Sequence, residues 1–339
     1  MKHRIRTGIF ASLGMLLLIL DTKTAIQGAQ EGIRLCIMTV IPSLFPFFVL
    51  SSLLTGALTG VRLRFLRPIG KLCRMPAGSE SLLLIGMLGG YPTGAKSAAD
   101  AYQNGQLSRS SANWLLAFCN NAGPSFLFGI IAPQFTNGIA AWALWGIHIF
   151  SCLAVGALMP GGEGSQRIQL PHKPFSVTQA LERSVAVMGR VCGWILLFRV
   201  IIAFCRQWFL WLFSEDLQVI LSGCLELTIG CTSLSQIRGE GLRFVVCAAF
   251  LGFGGLCVTM QTLSVIGDLS AASYLNGKLL QCGISVILAL IVQNFLFSAL
   301  DRVSFSAPIL LILGILLAAA VYALRKSEKR YSNPAVIGV

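Results

Sequence analysis

The sequence predicts an all-α polytopic membrane protein made of two inverted-topology repeats, each with a re-entrant helical hairpin. Three observations lead there. The 339 residues are 55% hydrophobic and 12% charged, with a mean hydropathy of +0.77, whereas a soluble domain carries about 25% charged residues. Several apolar runs approach the roughly 20 residues that a helix needs to cross a bilayer. Two of these runs are broken at mid-length by polar, Gly- and Pro-containing patches, and the other half holds a degenerate copy. Backbone opens its hydrogen bonds inside hydrocarbon only where protein or a wet cavity satisfies them. Matched breaks in two halves point to a carrier's binding site.

The elements follow in order. A first helix is expected over 5–21, read as retained rather than cleaved because Gln27-Gly28-Ala29 is a poor cleavage site. A second span covers 33–58 and carries Pro42 and Pro46. Residues 62–76 form a basic interfacial stretch. Residues 81–107 are too short and polar to cross twice, so they predict a re-entrant hairpin. A span over 112–132 contains the break Asn120-Asn121-Ala122-Gly123-Pro124-Ser125, and 138–159 crosses intact. The polar stretch 160–183 links the halves. After it come a span at 184–206, a Trp- and Phe-rich interfacial stretch at 208–220, and a second hairpin at 221–240. A span at 242–266 is interrupted at Gly252-Phe253-Gly254-Gly255. Spans at 278–299 and 307–324 complete the second half, 184–339, which ends in a basic tail.

Both halves thus read span, interfacial stretch, hairpin, broken span, intact span. Three crossings per half invert the second relative to the first. Gln30-Glu31-Gly32-Ile33-Arg34 and Leu181-Glu182-Arg183-Ser184 look like equivalent helix starts. With both termini cytoplasmic, the basic 62–74 stretch, the linker and the Arg325 to Arg330 tail all fall inside, as the positive-inside rule requires. Arg238 and Arg243 fall outside, against that rule. The net charge of +13 is therefore a topology signal and not a nucleic-acid footprint. The eleven cysteines include no C-x-x-C pair and read as small packing residues.

The chemistry is expected at the breaks. After Gly89-Gly90-Tyr91-Pro92, a helix restarts at Pro92 or Thr93, since Pro favours the first helical position. Its amides, with Gly94 and Lys96 in the first turn, would make an anion site near the bilayer centre. Asn120, Asn121 and Ser125 would donate from the second break, where Pro124 starts another half-helix. Asp100, one turn after Lys96, is the expected counter-ion of that lysine. Glu226, deep in the second hairpin beside Thr228, would take a coupling Na+ or H+ or neutralise Lys96. Arg190 and Arg199 lie on opposite faces of one helix at about 100° per residue. Arg199 is the better substrate or packing partner, and Arg190 would pair with a carboxylate such as Glu182. His148 reads as a packed neutral histidine. No hydrolase or metalloprotease motif is present, so no enzyme activity, cofactor or metal is expected. The expected partners are a small anionic solute and the lipid bilayer. The oligomeric state is left open.

At these residues the chain resembles the sporulation integral membrane proteins of the YlbJ type, in the nucleoside-recognition Gate superfamily. The resemblance rests on Ile41-Pro42-Ser43-Leu44-Phe45-Pro46-Phe47-Phe48, Gly90-Tyr91-Pro92-Thr93-Gly94-Ala95-Lys96, Phe118-Cys119-Asn120-Asn121-Ala122-Gly123-Pro124-Ser125-Phe126 and, more weakly, Leu225-Glu226-Leu227-Thr228-Ile229-Gly230. It implies a fold like concentrative nucleoside transporters. It also implies a carrier of dipicolinate across the outer forespore membrane during sporulation. A nucleoside or another small solute is the alternative cargo, and a non-transporting membrane scaffold for sporulation the alternative role.

Overall fold

The computed structural model describes residues 2–58, 61, 63–159, 176–298 and 303, with positions 317, 319, 321 and 322. The basic tail, and most of the expected linker and last span, lie outside the described residues. Those described are helical, with no strand among them. Among the described residues five helices are long and apolar enough to cross a membrane, and the chain is a multi-pass membrane protein.

Helix α1 runs Lys2–Leu20. Helix α2 then runs Thr22–Leu58 without interruption, beginning eleven residues before the expected start. The reason is local: the Asp21 side chain accepts from the Thr24 amide and caps the helix. Pro42 cannot donate to the preceding turn and crowds it. The turn Cys36–Val40 opens into a π-helical turn, with the Ile41 amide reaching back to Cys36. Gly28 and Gly32, four apart, let α2 approach the backbone of the later helix Val177–Trp208: a Cβ at Gly28 would lie 3.0 Å from Val200 Cα.

The interfacial stretch forms a short helix α3, Arg67–Leu72. It is clamped to the first hairpin by the Arg67–Glu80 ion pair at 2.7 Å. The hairpin has arms α4 (Glu80–Gly89) and α5 (Thr93–Gln103). Helix α6 (Arg109–Leu116) stops short, the chain extends through 120–123, and Pro124 starts a second half-helix, α7, over 124–131. Helix α8, Gly138–Leu158, crosses intact.

Helix α9 (Val177–Trp208) starts seven residues before the expected 184, at a Ser176–Gln179 capping box. The second hairpin is α10 (Glu215–Leu225) and α11 (Leu227–Thr232), with Glu226 at the tip. The last part of the stretch expected at 208–220 as interfacial, from Glu215 on, is its first arm, started by the acidic pair Glu215 and Asp216, so the hairpin lies earlier than the expected 221–240 and its second arm ends at Thr232. Helix α12 (Glu240–Phe253) ends at Gly254 in the left-handed region (φ +85°), and α13 (Gly255–Leu263) follows. Helix α14, Ala271–Leu296, starts at a Ser270 cap, seven residues before the expected 278. The sequences expected at helix entrances, Gln30 to Arg34 and Leu181 to Ser184, lie inside α2 and α9.

Each hairpin is pinched where its arms cross. Gly86 faces Gly94 in the first, and Gly223 faces Gly230 in the second. A neighbouring broken helix fills each pinch. The Cys119 carbonyl occupies the space beside Gly86 and Gly94, and the Phe250 ring the space beside Gly223 and Gly230.

Candidate functional site

The backbone breaks meet. A cavity of about 50 Å³ is lined by Gly90 and Tyr91 from the first hairpin tip and by Ala122, Gly123 and Ser125 from the first break. The second hairpin tip adds Glu226, Leu227 and Thr228, and α13 adds Val258 and Gln261. Gly123 sits against the first tip, where a Cβ would lie 3.1 Å from the Leu88 carbonyl oxygen. Gly255 sits against the second tip, where a Cβ would lie 3.1 Å from the Gly223 carbonyl oxygen. This cavity holds a few waters at most.

A second cavity adjoins it, of about 530 Å³, within the range of small-molecule sites. Gly89, Pro92 and Thr93 line it, Gly90 and Tyr91 line the smaller one, and Phe48 lines both. Its walls also carry Lys96, Asp100, Arg183 and Arg190. Three cations face one carboxylate there.

The orphan backbone groups of the breaks are satisfied by specific side chains. The Tyr91 hydroxyl donates to the Leu251 carbonyl in the last turn of α12 (3.2 Å). The Ala122 amide donates to His148 Nε2 (3.2 Å). That contact requires an unprotonated ring nitrogen, so His148 sits in the core as expected, with a defined partner. The Ala95 amide donates to Asn120 Oδ1 (3.3 Å), and Asn120 Nδ2 donates to Thr262 Oγ1 (2.9 Å). The Ile229 amide donates to Glu226 Oε2 (2.6 Å).

The predicted residues therefore divide. Tyr91, Ser125, Glu226 and Thr228 line the small cavity, and Thr93 lines the large one. Gly94 lines neither; it is buried against Gly86 and Cys119, where nothing larger fits. Asn120 and Asn121 are buried and line neither, because their amides are committed to backbone and to α8, α13 and α14. Lys96 is not a buried lysine at the tip. It points into the large cavity, its side chain 52% exposed and paired with Asp100 at 3.1 Å, the partner its spacing predicts. Nor are the α5 amides all open to an anion, since Asn120 takes one. Arg199 faces α2 and pairs with Glu31 at 2.5 Å, away from both cavities. Arg190 lines the large cavity and makes none of the five ion pairs among the described residues; the expected pair with Glu182 is not among them.

Sequence reasoning passed over Lys278 and Gln281. Starting a span at residue 278 makes Lys278 a boundary residue. With α14 starting at Ala271, it lies two turns inside and is fully buried. Lys278 Nζ donates to Gln281 Oε1 (2.8 Å), Asn121 Oδ1 (3.3 Å) and Tyr91 Oη (3.4 Å). Gln281 Nε2 also donates to Asn121 Oδ1 (3.1 Å), and Ser285 Oγ to Ser151 Oγ (2.9 Å). The available signal was the spacing of Lys278, Gln281 and Ser285, which puts three polar side chains on one face of an apolar helix.

The chain is 29% identical over 349 aligned positions to "Sporulation integral membrane protein YlbJ" of Bacillus subtilis (strain 168), covering 87% of this chain and 85% of that protein. The match supports the YlbJ-type resemblance. No protein-family model matches the chain, and no solved structure matches it.

Proposed function

We propose that the chain is a carrier that moves a small anionic solute across a membrane. The observation behind this reading is the convergence of two hairpin tips and two interrupted helices on one cavity, an arrangement that costs backbone hydrogen bonds and is kept in membrane proteins where it lines a pathway. The repeated element order supports two repeats of inverted topology, as in concentrative nucleoside transporters, with both termini cytoplasmic. The solute collects in the larger cavity, drawn by Lys96, Arg183 and Arg190. It passes to the tips when a hairpin-bearing unit moves and the small cavity widens. Glu226, buried at the second tip, binds the coupling Na+ or H+.

The cargo that fits best is dipicolinate, crossing the outer forespore membrane during sporulation. Support comes from the basic cavity, from the sporulation role in the relative's name, and from the resemblance of the motifs. A nucleoside is the second reading, favoured by the uncharged polar side chains Tyr91, Ser125, Thr228 and Gln261 that line the tip cavity beside Glu226. The test is flux into vesicles holding the purified protein, comparing dipicolinate with a nucleoside, with and without a sodium or proton gradient. Gradient-dependent dipicolinate uptake is expected. Uptake of neither solute would leave the scaffold role as the better account.

A further inference from the structure

We propose that Lys278 is the residue that recognises the solute's negative charge, and that the Tyr91 ring is the shutter that covers it. This rests on the carrier reading above and names the charge partner within that site.

Lys278 is fully buried, and a close backbone approach puts it there. The preceding Gly277 lies so near the Ala117 backbone that a side chain at 277 would overlap it. Helix α14 thus abuts the first break and delivers the ammonium beside Asn121. All three of its contacts are to neutral oxygens. It takes part in none of the five ion pairs among the described residues. A desolvated cation without an anion is costly, and such residues inside a membrane mark pathways.

Two of the three contacts, at 3.3 and 3.4 Å, are longer than the 2.7–2.9 Å usual for an ammonium on a carboxylate. They are weak enough to exchange for one. The ammonium lies 5.2 Å from the centroid of the Tyr91 ring, and Tyr91 lines the small cavity. One ring separates the charge from the space the solute must reach. Asn121 and Tyr91 sit on a break and a hairpin tip, elements that the carrier reading moves. Displacing Tyr91 opens a path to Lys278, and an arriving carboxylate replaces the long contacts with a short charged one. Lys96 is less suited, because Asp100 already engages it.

The test uses the full-length protein in detergent and in vesicles. Thermal stabilisation is measured with benzoate, with dipicolinate and with uncharged benzamide, for wild type, Tyr91→Ala, and Tyr91→Ala combined with Lys278→Gln. Lys278→Met replaces Gln if the Gln variant folds poorly. Benzoate and dipicolinate should stabilise Tyr91→Ala more than wild type, and benzamide should not. Removing the lysine should weaken the carboxylate effect by at least about tenfold in concentration, as loss of a charged hydrogen bond predicts. Equal stabilisation with and without Lys278, or by benzamide, overturns the proposal. Dipicolinate flux through wild type and Lys278→Gln separates the two claims. Equal flux in both keeps the carrier and removes Lys278. No flux in wild type, with lysine-dependent stabilisation intact, removes the carrier and keeps the charge site.

Discussion

The Tyr91 hydroxyl and the Leu251 carbonyl join the two halves of the chain across 160 residues of sequence, at 3.2 Å. Leu251 lies in the last turn of α12, where carbonyls have no partner within the helix. The first hairpin thus supplies the donor that the second broken helix lacks. Tyr91→Phe removes it and leaves that carbonyl buried. The expected loss is about 1–3 kcal/mol, read from denaturation in detergent, with faster amide exchange at 88–94. Unchanged exchange would show that the bond does not hold the tip.

The pinch glycines should be intolerant. Gly94→Ala and Gly230→Ala each drive a methyl into backbone or an aromatic ring at an arm crossing. Overpacking of this kind costs about 1–3 kcal/mol or more. Gly146→Ala and Gly189→Ala, with open space around them, serve as helix controls. The yield of monodisperse protein should fall for the first pair and hold for the second.

Glu226 does two jobs that substitution separates. Its Oε2 caps the second arm of its hairpin through the Ile229 amide. Glu226→Gln keeps an acceptor for that amide but cannot release a proton or hold a cation as a carboxylate does. The fold should survive, and uptake should lose its response to a sodium or proton gradient. Glu226→Ala should in addition lose about 0.5–2 kcal/mol of capping. Full gradient dependence in Glu226→Gln would move the coupling site elsewhere.

Arg190 lines the large cavity, outside the tips. Its field should steer an anion more than hold it during translocation. Arg190→Gln should raise KM for an anionic solute by a few-fold and leave kcat close to wild type, with the difference shrinking as salt rises. A fall in kcat alone would contradict steering.

Arg199 belongs to the contact between α2 and α9. A double-mutant cycle with Glu31 should give a coupling of about 0.2–1 kcal/mol, since Glu31 is 55% exposed at its side chain. Solute affinity should not change in Arg199→Gln. A large affinity loss would return Arg199 to the pathway.

Much of this fold is legible along the chain. Apolar length announces the crossings, and the patches at Gly90 to Gly94, Asn120 to Ser125 and Gly252 to Gly255 are where the helices come apart. The errors cluster at helix starts. Asp21, Ser176 and Ser270 cap three helices earlier than hydropathy suggests, because the first turns of these spans are polar. That shift hid Lys278, which hydropathy leaves at a boundary and the cap at Ser270 carries inside.

The sequence by itself located the breaks at Gly90 to Gly94, Asn120 to Ser125 and Gly252 to Gly255, because propensity, proline chemistry and apolar length are properties of a short stretch. Only the tertiary structure decided that both hairpin tips and the first break line one cavity, with Val258 and Gln261 of α13 on its wall. It also decided that Lys96 stays half exposed beside Asp100, that Arg199 turns to Glu31, and that Lys278 is fully buried. Those outcomes depend on how closely helices approach at Gly28, Gly94 and Gly277, and so on contacts between residues far apart in the chain.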